Sequence, residues 1–403
     1  MRSLRIGVCS LLAFGVLAHG AVEDWARAVL EIGAGILFLA WALRAYWKQE
    51  PQIVIPSLLP PLLAFFAVAL AQLLFHRTAS SYATRMELLL LLADVLLLFL
   101  AAQVFRTRGD WRDFLWFVMT FGFLVSLFGI LQHLTFNGKL YWFREMHYGA
   151  MPFGPYVNRN HFAGFAELVI PASLVPLALG KVRRERWFLV SLFTVVPIGA
   201  LFLSASRGGI VSLGVEVGAL LLWLILRRAL GKHLLSAGVV FLLAFLMVSW
   251  LGVRGALERF SAMRALEVTQ DKRASMAADT WHIFLDHPVL GTGLGTLQAV
   301  FPKYETNYDG KIVNHSHNDY LEALAETGLL GGLCCAWFLA ALLFGSVRSL
   351  SRPGSAFAAT LQLSALIACL GFLTHSLVDF NLHIPANALL FLLVATMASN
   401  SYD

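Results

Sequence analysis

The stretch Met86–Phe105, MELLLLLADVLLLFLAAQVF, holds two acidic residues and no basic one. As a helix rising about 1.5 Å per residue it is long enough to cross the roughly 30 Å of hydrocarbon in a bilayer. Runs of the same kind recur along the whole chain, at 4–20, 27–47, 54–75, 86–105, 113–135, 160–180, 187–205, 209–226, 233–253, 319–347, 355–377 and 384–400. Hydrocarbon offers no partner to a backbone N–H or C=O, so each run must bond internally as a helix. The expectation is an all-α integral membrane protein, a bundle of about twelve transmembrane helices. Pro171 and Pro176, inside the sixth run, predict kinks that neighbouring helices accommodate.

Composition points the same way. Of 403 residues, 59% are hydrophobic and 13% charged, with a mean hydropathy of +0.72, which leaves no separate soluble domain; residues 1–403 are read as one transmembrane domain. Arg2 and Arg5 precede the apolar Ile6–Ala18, but no small-residue cleavage site comes before Glu23, so this segment is read as the first span rather than a signal peptide. The net charge of +6 suits loops lying against anionic headgroups and is no argument for nucleic acid. Cys9, Cys334, Cys335 and Cys369 all lie in apolar runs, where a thiol acts as a small hydrophobe, so neither a disulfide nor a metal framework is expected.

Lys and Arg gather in cytoplasmic loops. Under the span count above, Arg2/Arg5, Arg44/Lys48, Arg106/Arg108/Arg112, Lys181/Arg183/Arg184/Arg186, Arg227/Arg228/Lys232 and Arg348/Arg352 all fall on one side. That side is read as cytoplasmic, with both termini on it. The segments left on the outer face are 136–159, the turn near Ser206, a long loop at 254–318 between spans nine and ten with short helices in it, and Asp379–His383. The long loop is the most polar, and chemistry is expected there.

Four motifs carry that expectation. The run Asn314-His315-Ser316-His317-Asn318-Asp319-Tyr320-Leu321-Glu322, continuing to Glu326-Thr327-Gly328, takes a polar loop into an apolar helix. Histidines followed by glutamates make an acid–base site, since imidazole titrates near neutrality. The same residues also read as a helix cap on Asn318 or Asp319 with solvated histidines. In Ser204-Ala205-Ser206-Arg207-Gly208-Gly209, one arginine stands at the membrane boundary on the side poor in basic residues. Its planar donors match a phosphate, and the glycines leave room for a ligand; against this stands an arginine snorkelling to headgroups.

The third motif runs from Arg273 through Trp281 to Asp286-His287-Pro288 and Gly291-Thr292-Gly293-Leu294-Gly295. These glycines are no nucleotide fingerprint, which needs a βαβ unit; Asp-His-Pro ends a helix over 273–286 and the glycines turn the chain. Arg273 is either a second phosphate ligand or a loop charge. The fourth comprises two polar islands, Asn158-Arg159-Asn160-His161 opening the sixth span and His375 to Pro385 joining the last two. Caps and helix entries explain most of these residues, with Arg159 kept as an anion ligand and Asp379 as a partner for an arginine.

In the order and placement of these motifs the chain resembles the O-antigen ligase and polymerase superfamily of bacterial inner-membrane proteins. The resemblance rests on Asn158-Arg159-Asn160-His161-Phe162-Ala163, on Ser206-Arg207-Gly208-Gly209, on Arg273…Trp281…His287-Pro288…Gly291-x-Gly293, and on His317-Asn318-x-x-Leu321 with Glu326-x-Gly328. It implies a membrane glycosyltransferase of lipopolysaccharide biosynthesis. Such an enzyme moves a polysaccharide from undecaprenyl diphosphate to an acceptor hydroxyl, lipid A-core above all, on the periplasmic side of the inner membrane. It implies Arg207 and Arg273 on the diphosphate, Arg159 as a further ligand, and His317 as the base with His315 as the alternative. Asn318, Glu326 and Asp379 support them. It implies inverting attack with no metal and no cofactor. A polymerase joining two lipid-linked repeats and a transferase to protein hydroxyls share the resemblance. A flippase of lipid-linked glycan is the competing class; transporters often show internal repeats and broken midplane helices, and no repeat is evident here.

Overall fold

The computed structural model describes residues 1–49, 52–145, 151–227, 270–351 and 355–400, with isolated positions 238 and 246. Twelve helices of 15 residues or more lie among them: α1 Arg2–Leu17, α2 Asp24–Lys48, α3 Leu59–Leu74, α4 Ser81–Val104, α5 Arg108–Leu134, α6 Arg159–Ala178, α7 Arg184–Ser204, α8 Arg207–Leu226, α9 Gln270–Asp286, α10 Asp319–Ser351, α11 Ala356–His375 and α12 Pro385–Ser399. No strand occurs among the described residues, only isolated bridges at Leu140–Arg144 and Phe153–Tyr156. Eight of the helices, α2, α4, α5, α6, α7, α8, α10 and α11, are long and apolar enough to cross a membrane; α3 and α12 are shorter apolar helices. The chain is a multi-pass membrane protein. Apart from positions 238 and 246, the ninth stretch, 233–253, lies outside the described residues, as do positions 254–269 of the long loop.

The helix starts follow from local chemistry. Ser80, Asn158, Ser206 and Ser355 each accept a backbone N–H of the first turn, and Thr107 with Asp110 closes a capping box at α5; each cap satisfies donors that have no intrahelical partner. Prolines occupy the first turns of α3 and α12, where the missing N–H costs nothing.

Burial sorts the helices into layers. Nearly all of α6 and every residue of α12 are buried, so these two form the centre. On α2, Ile32, Ile36, Leu39 and Leu43 are each about 60% exposed; at that spacing they share one helix face, which an aqueous protein would not leave bare and which lipid covers. Tyr46 and Trp47, at the end of α2, are more than three-quarters exposed, as interfacial aromatics are. Inside α6, Ser173 Oγ donates to Ile170 O at 3.2 Å and to Phe193 O of α7 at 3.1 Å, tying together a segment whose ladder is interrupted by Pro171 and Pro176.

Contacts between connections sort them onto two ends of the bundle. Arg5 pairs with Asp110 and Arg106 donates to Gln52 O at 2.7 Å, which gathers basic segments at one end. At the other, Arg144 pairs with Glu23, His19 Nδ1 meets Pro155 O at 3.0 Å, Ala79 N–H donates to Thr292 O at 2.7 Å, and Tyr156 Oη donates to Asn387 at 2.7 Å. The polar motifs belong to this second end.

Candidate functional site

The α11–α12 turn, 375–383, is where the motifs meet. Helix α10 begins against it: Asn318 Oδ1 accepts the N–H groups of Tyr320 and Leu321 at 3.1 and 3.0 Å while its Nδ2 donates to Leu377 O at 3.0 Å. Asp319 N–H donates to Ser376 O at 3.0 Å. Arg273 of α9 reaches the same turn, its guanidinium donating to Val378 O at 3.1 Å. Helix α8 enters beside it. Arg207, its exposed first residue, is followed by Gly208, where a Cβ would collide with the His375 ring and press on Val378 Cγ2. Arg159 opens α6 with its side chain buried, and its N–H donates to Met151 O at 2.8 Å.

Thus the helix start that carries Arg207, the Arg273 side chain and the His317-Asn318 loop all abut residues 375–379. One element of the sequence reading is corrected. Gly208 and Gly209 are not room for a ligand: the space their side chains would take is filled by His375 and by Ala163 of α6, so the glycines serve helix packing.

Asp379 lies beside the loop histidine. His317 Nδ1 lies 3.4 Å from Asp379 Oδ1, and Asp379 also accepts from Asn160 Nδ2 at 2.6 Å and from the Phe380 N–H at 2.9 Å. Burial alone raises the Asp379 carboxyl; the neighbouring His317, with His161 and His375, outweighs it and holds the group well below the usual carboxylate range. His317 itself adopts φ 54°, a conformation disfavoured for a residue with a Cβ and tolerated where surroundings hold it. Asn318 caps the helix as one of the two sequence readings has it, yet the histidines are not merely solvated, since His317 is 15% exposed and His315 30%.

Phe380 is the common wall. The His315 ring stacks on it at 4.4 Å and 23°, while His317 and His161 meet it edgewise at 4.9 and 4.8 Å. Nothing in the sequence marks this phenylalanine, because three rings from distant segments converge on it only in space.

A second polar cluster adjoins the first. His315 Nδ1 lies 2.7 Å from Glu322 Oε1, His383 Nε2 lies 3.3 Å from the same oxygen, and His383 Nδ1 is 2.8 Å from Asp319 Oδ1. Glu322 Oε2 accepts from Ser316 N and Oγ at 2.8 and 3.1 Å. The spacing of His315 and Glu322 along the chain announces half of this cluster; His383, sixty-four residues from Asp319, has no local signal.

Glu326 stands apart from the histidines in role. Its two carboxylate oxygens accept the N–H groups of Gly295 and Leu297, each at 2.8 Å, and Gln72 of α3 bridges Glu326 O, Leu290 O and the Leu294 N–H. Helix α10 is broken at Gly328, with φ 63° and ψ −163°. There Leu329 N–H donates to Pro288 O, while the N–H groups of Thr292 and Gly293 donate to Ala325 O and Glu326 O, all within 3.0 Å. A Cβ at Gly328 would overlap the Val289 backbone, and one at Gly291 the Glu326 backbone. The two glycine motifs are therefore two sides of one backbone-to-backbone seam. Beyond the seam, Lys272 with Glu305 at 2.6 Å and Asp279 with Thr306 at 3.0 Å fasten the chain after Phe301 onto α9 over a small core of Met276, Ile283, Leu297, Val300, Phe301 and Ala325.

Below the turn, His375 Nδ1 and Glu167 Oε1 form a wholly buried pair at 2.8 Å. Alongside α3, α4, α10 and α12 runs a cavity of about 510 Å³ whose wall is mainly apolar, with Phe65, Leu90, Leu333 and Phe391 on it and Glu87, Asp94, Asp319, Glu326 and His383 among its polar groups. No arginine or lysine of the described residues lines it.

A 234-residue alignment, 27% identical, relates the chain to the teichuronic acid biosynthesis protein TuaE of Bacillus subtilis (strain 168); it takes in 53% of this chain. The matched region spans 45% of the length of that relative. Arg207, Arg273, His317 and the Gly291–Gly328 seam fall within residues 190–336, while Asn160, Asp379 and His383 lie outside that range. Residues 190–336 match the family model of the O-antigen ligases, so over that segment the likeness seen in the sequence is borne out.

Proposed function

We propose that the protein is a membrane glycosyltransferase of the O-antigen ligase type. It transfers a glycan from undecaprenyl diphosphate to an acceptor hydroxyl at the periplasmic face of the bacterial inner membrane, with both termini in the cytoplasm. The observation that carries this reading is the convergence of Arg207's helix start, Arg273 and the His317–Asp379 pair on one turn. The family match over 190–336 supports it.

In this reading the diphosphate lies beside Arg207 and Arg273, with Arg159 as a further cation. His317 Nδ1 faces Asp379, which leaves Nε2 to take the proton of the acceptor hydroxyl. The acceptor oxygen attacks the anomeric carbon, the bond from that carbon to the diphosphate oxygen breaks, and the diphosphate leaves with the electron pair. A single displacement inverts the carbon. Charge grows on the leaving group, and fixed guanidinium groups in a partly dry site stabilise it more than mobile water does. ATP has no part, because the diphosphate ester carries the activation, and the arginines carry the leaving-group charge without a metal. The polyprenyl tail runs between helices, for which the cavity beside α10 offers an apolar wall.

Lipid A-core is the proposed acceptor. A second lipid-linked repeat is the alternative, kept because a relative is named for teichuronic acid biosynthesis; protein hydroxyls are a third. Purified protein given a lipid-diphosphate glycan with either lipid A-core or a second lipid-linked repeat tests the reading. Glycan appearing on lipid A-core is the expected product. Lengthened lipid-linked glycan in its place assigns the polymerase, and no transfer to any acceptor removes the enzyme reading and leaves a flippase.

A further inference from the structure

The cluster of His315, Glu322 and His383 is built as a metal centre is built. His315, His383 and Glu322 each offer one ligand atom, and the three atoms lie within 4.8 Å of one another; His315 Nδ1 and His383 Nε2 both face Glu322 Oε1, at 2.7 and 3.3 Å. Each is oriented by a neighbour that uses up its other polar atom or fixes its ring. His383 Nδ1 lies 2.8 Å from Asp319 Oδ1 and its Nε2 3.3 Å from Glu322 Oε1; with the Nδ1 proton held by Asp319, Nε2 is the nitrogen that can ligate. Glu322 Oε2 is taken up by Ser316 N–H and Oγ–H, so Oε1 is the oxygen available. The His315 ring is held flat against Phe380.

A carboxylate behind a histidine, setting its tautomer, is the usual outer shell of a ligating imidazole. Two histidines and a glutamate are a donor set of catalytic zinc sites, which keep a position open for another ligand. His383 and Asp319 also line the 510 Å³ cavity, so the site borders a space that can supply that ligand.

We propose that His315 Nδ1, His383 Nε2 and Glu322 Oε1 bind one divalent transition-metal ion of the zinc class, with Asp319 as the outer-shell carboxylate. Bond lengths of about 2.0–2.2 Å require the widest ligand separation to close by roughly 1 Å, a shift shared by the side-chain torsions of the partly exposed His315 and His383. The ion is additional to the arginine-bound diphosphate described above and does not replace it. Its expected effect is to clamp the His315–His317 loop to α10 and to the α11–α12 turn.

The test uses the full-length chain without a polyhistidine tag, in detergent, stripped with a chelator and dialysed. Titration with Co²⁺ is expected to take up one equivalent, with the visible absorption of a low-symmetry nitrogen–oxygen site that Zn²⁺ then abolishes. Glu322→Gln and His383→Asn should each weaken Co²⁺ binding at least about 100-fold, and Asp319→Asn about 10–100-fold. His315→Gln, at the most exposed ligand, is the variant least able to disturb folding and should lose the spectrum while staying monodisperse. Wild-type protein that remains monodisperse yet takes up no stoichiometric Co²⁺ or Zn²⁺ overturns the site. So does uptake that His315→Gln leaves unchanged. Because the readout is metal content and absorbance, it stands whether or not glycan transfer is found.

Discussion

At the residue scale, the proposed chemistry rests on charges that are costly to keep near lipid. A boundary guanidinium that stabilises a leaving diphosphate is worth about 10²–10³ in rate by analogy with other preorganised donors. Arg207→Ala and Arg273→Ala are each expected to lose transfer by that factor while still inserting in the membrane, and Lys at either position to restore part of it. Wild-type turnover in either alanine variant would take that arginine out of the mechanism. His317→Ala should lose about 10²–10⁴; activity kept there removes His317 as the base, and loss in His315→Ala assayed on chelator-stripped protein then makes His315 the base. Asp379 gives a pH signature. Its carboxyl is held below the ordinary value, so its stabilisation is present above the unfolded-state value near 3.9 and disappears as pH falls toward the folded one. The gap in Tm between wild type and Asp379→Asn should narrow as pH falls below about 4, where the carboxylate is protonated. A gap that stays unchanged on acidification from about pH 4 to 2 contradicts the assigned charge. His317, Arg207 and Arg273 were legible in the sequence because polar residues stand out against apolar runs. Phe380 and His383 were not, since an aromatic and a lone histidine beside a proline look like an ordinary helix entry.

At the level of elements, α10 is the informative helix. Its apolar run announces a helix from Asp319, and the sequence reading places one there; the break at Gly328 is invisible to periodicity because the residues on either side remain helix formers. What breaks it is a competing backbone. The segment Pro288–Gly293 takes the hydrogen bonds of residues 325–329, and only glycine at 291 and 328 lets the two chains come that close. Gly328→Ala meets both a positive φ and a backbone overlap. It should destabilise by more than the ~1 kcal/mol of an ordinary glycine-to-alanine error, read as a lower Tm in detergent or loss of folded protein from the membrane. Full stability in Gly328→Ala would show that the seam does not hold the loop. The helix ended by Asp286-His287-Pro288 closes at Asp286 as the sequence reading has it, since a proline after the last turn stops a helix for local reasons.

For the whole molecule, the division between lipid-facing and buried helices decides where an apolar substrate can enter. Leu333 lines the cavity beside α10 and is itself 57% exposed, so enlarging it narrows the cavity without repacking the centre. Leu333→Trp is expected to raise KM for a full-length polyprenyl donor about tenfold, ~1.4 kcal/mol, with Tm and the use of a short-chain donor little changed. Equal effects on both donors would place the polyprenyl chain elsewhere. The sequence by itself determined the membrane class, the positions of the apolar helices and the polar residues that stand out from them, because a bilayer imposes helix length and hydropathy locally. Only the tertiary structure decided that the turn 375–383 is the point where α6, α8, α9 and α10 meet. It also decided that Asp379 partners His317, and that His383 reaches across to Glu322. Those pairings join residues tens to hundreds of positions apart, and no pattern along a chain records which buried carboxylate lies next to which imidazole once the helices pack.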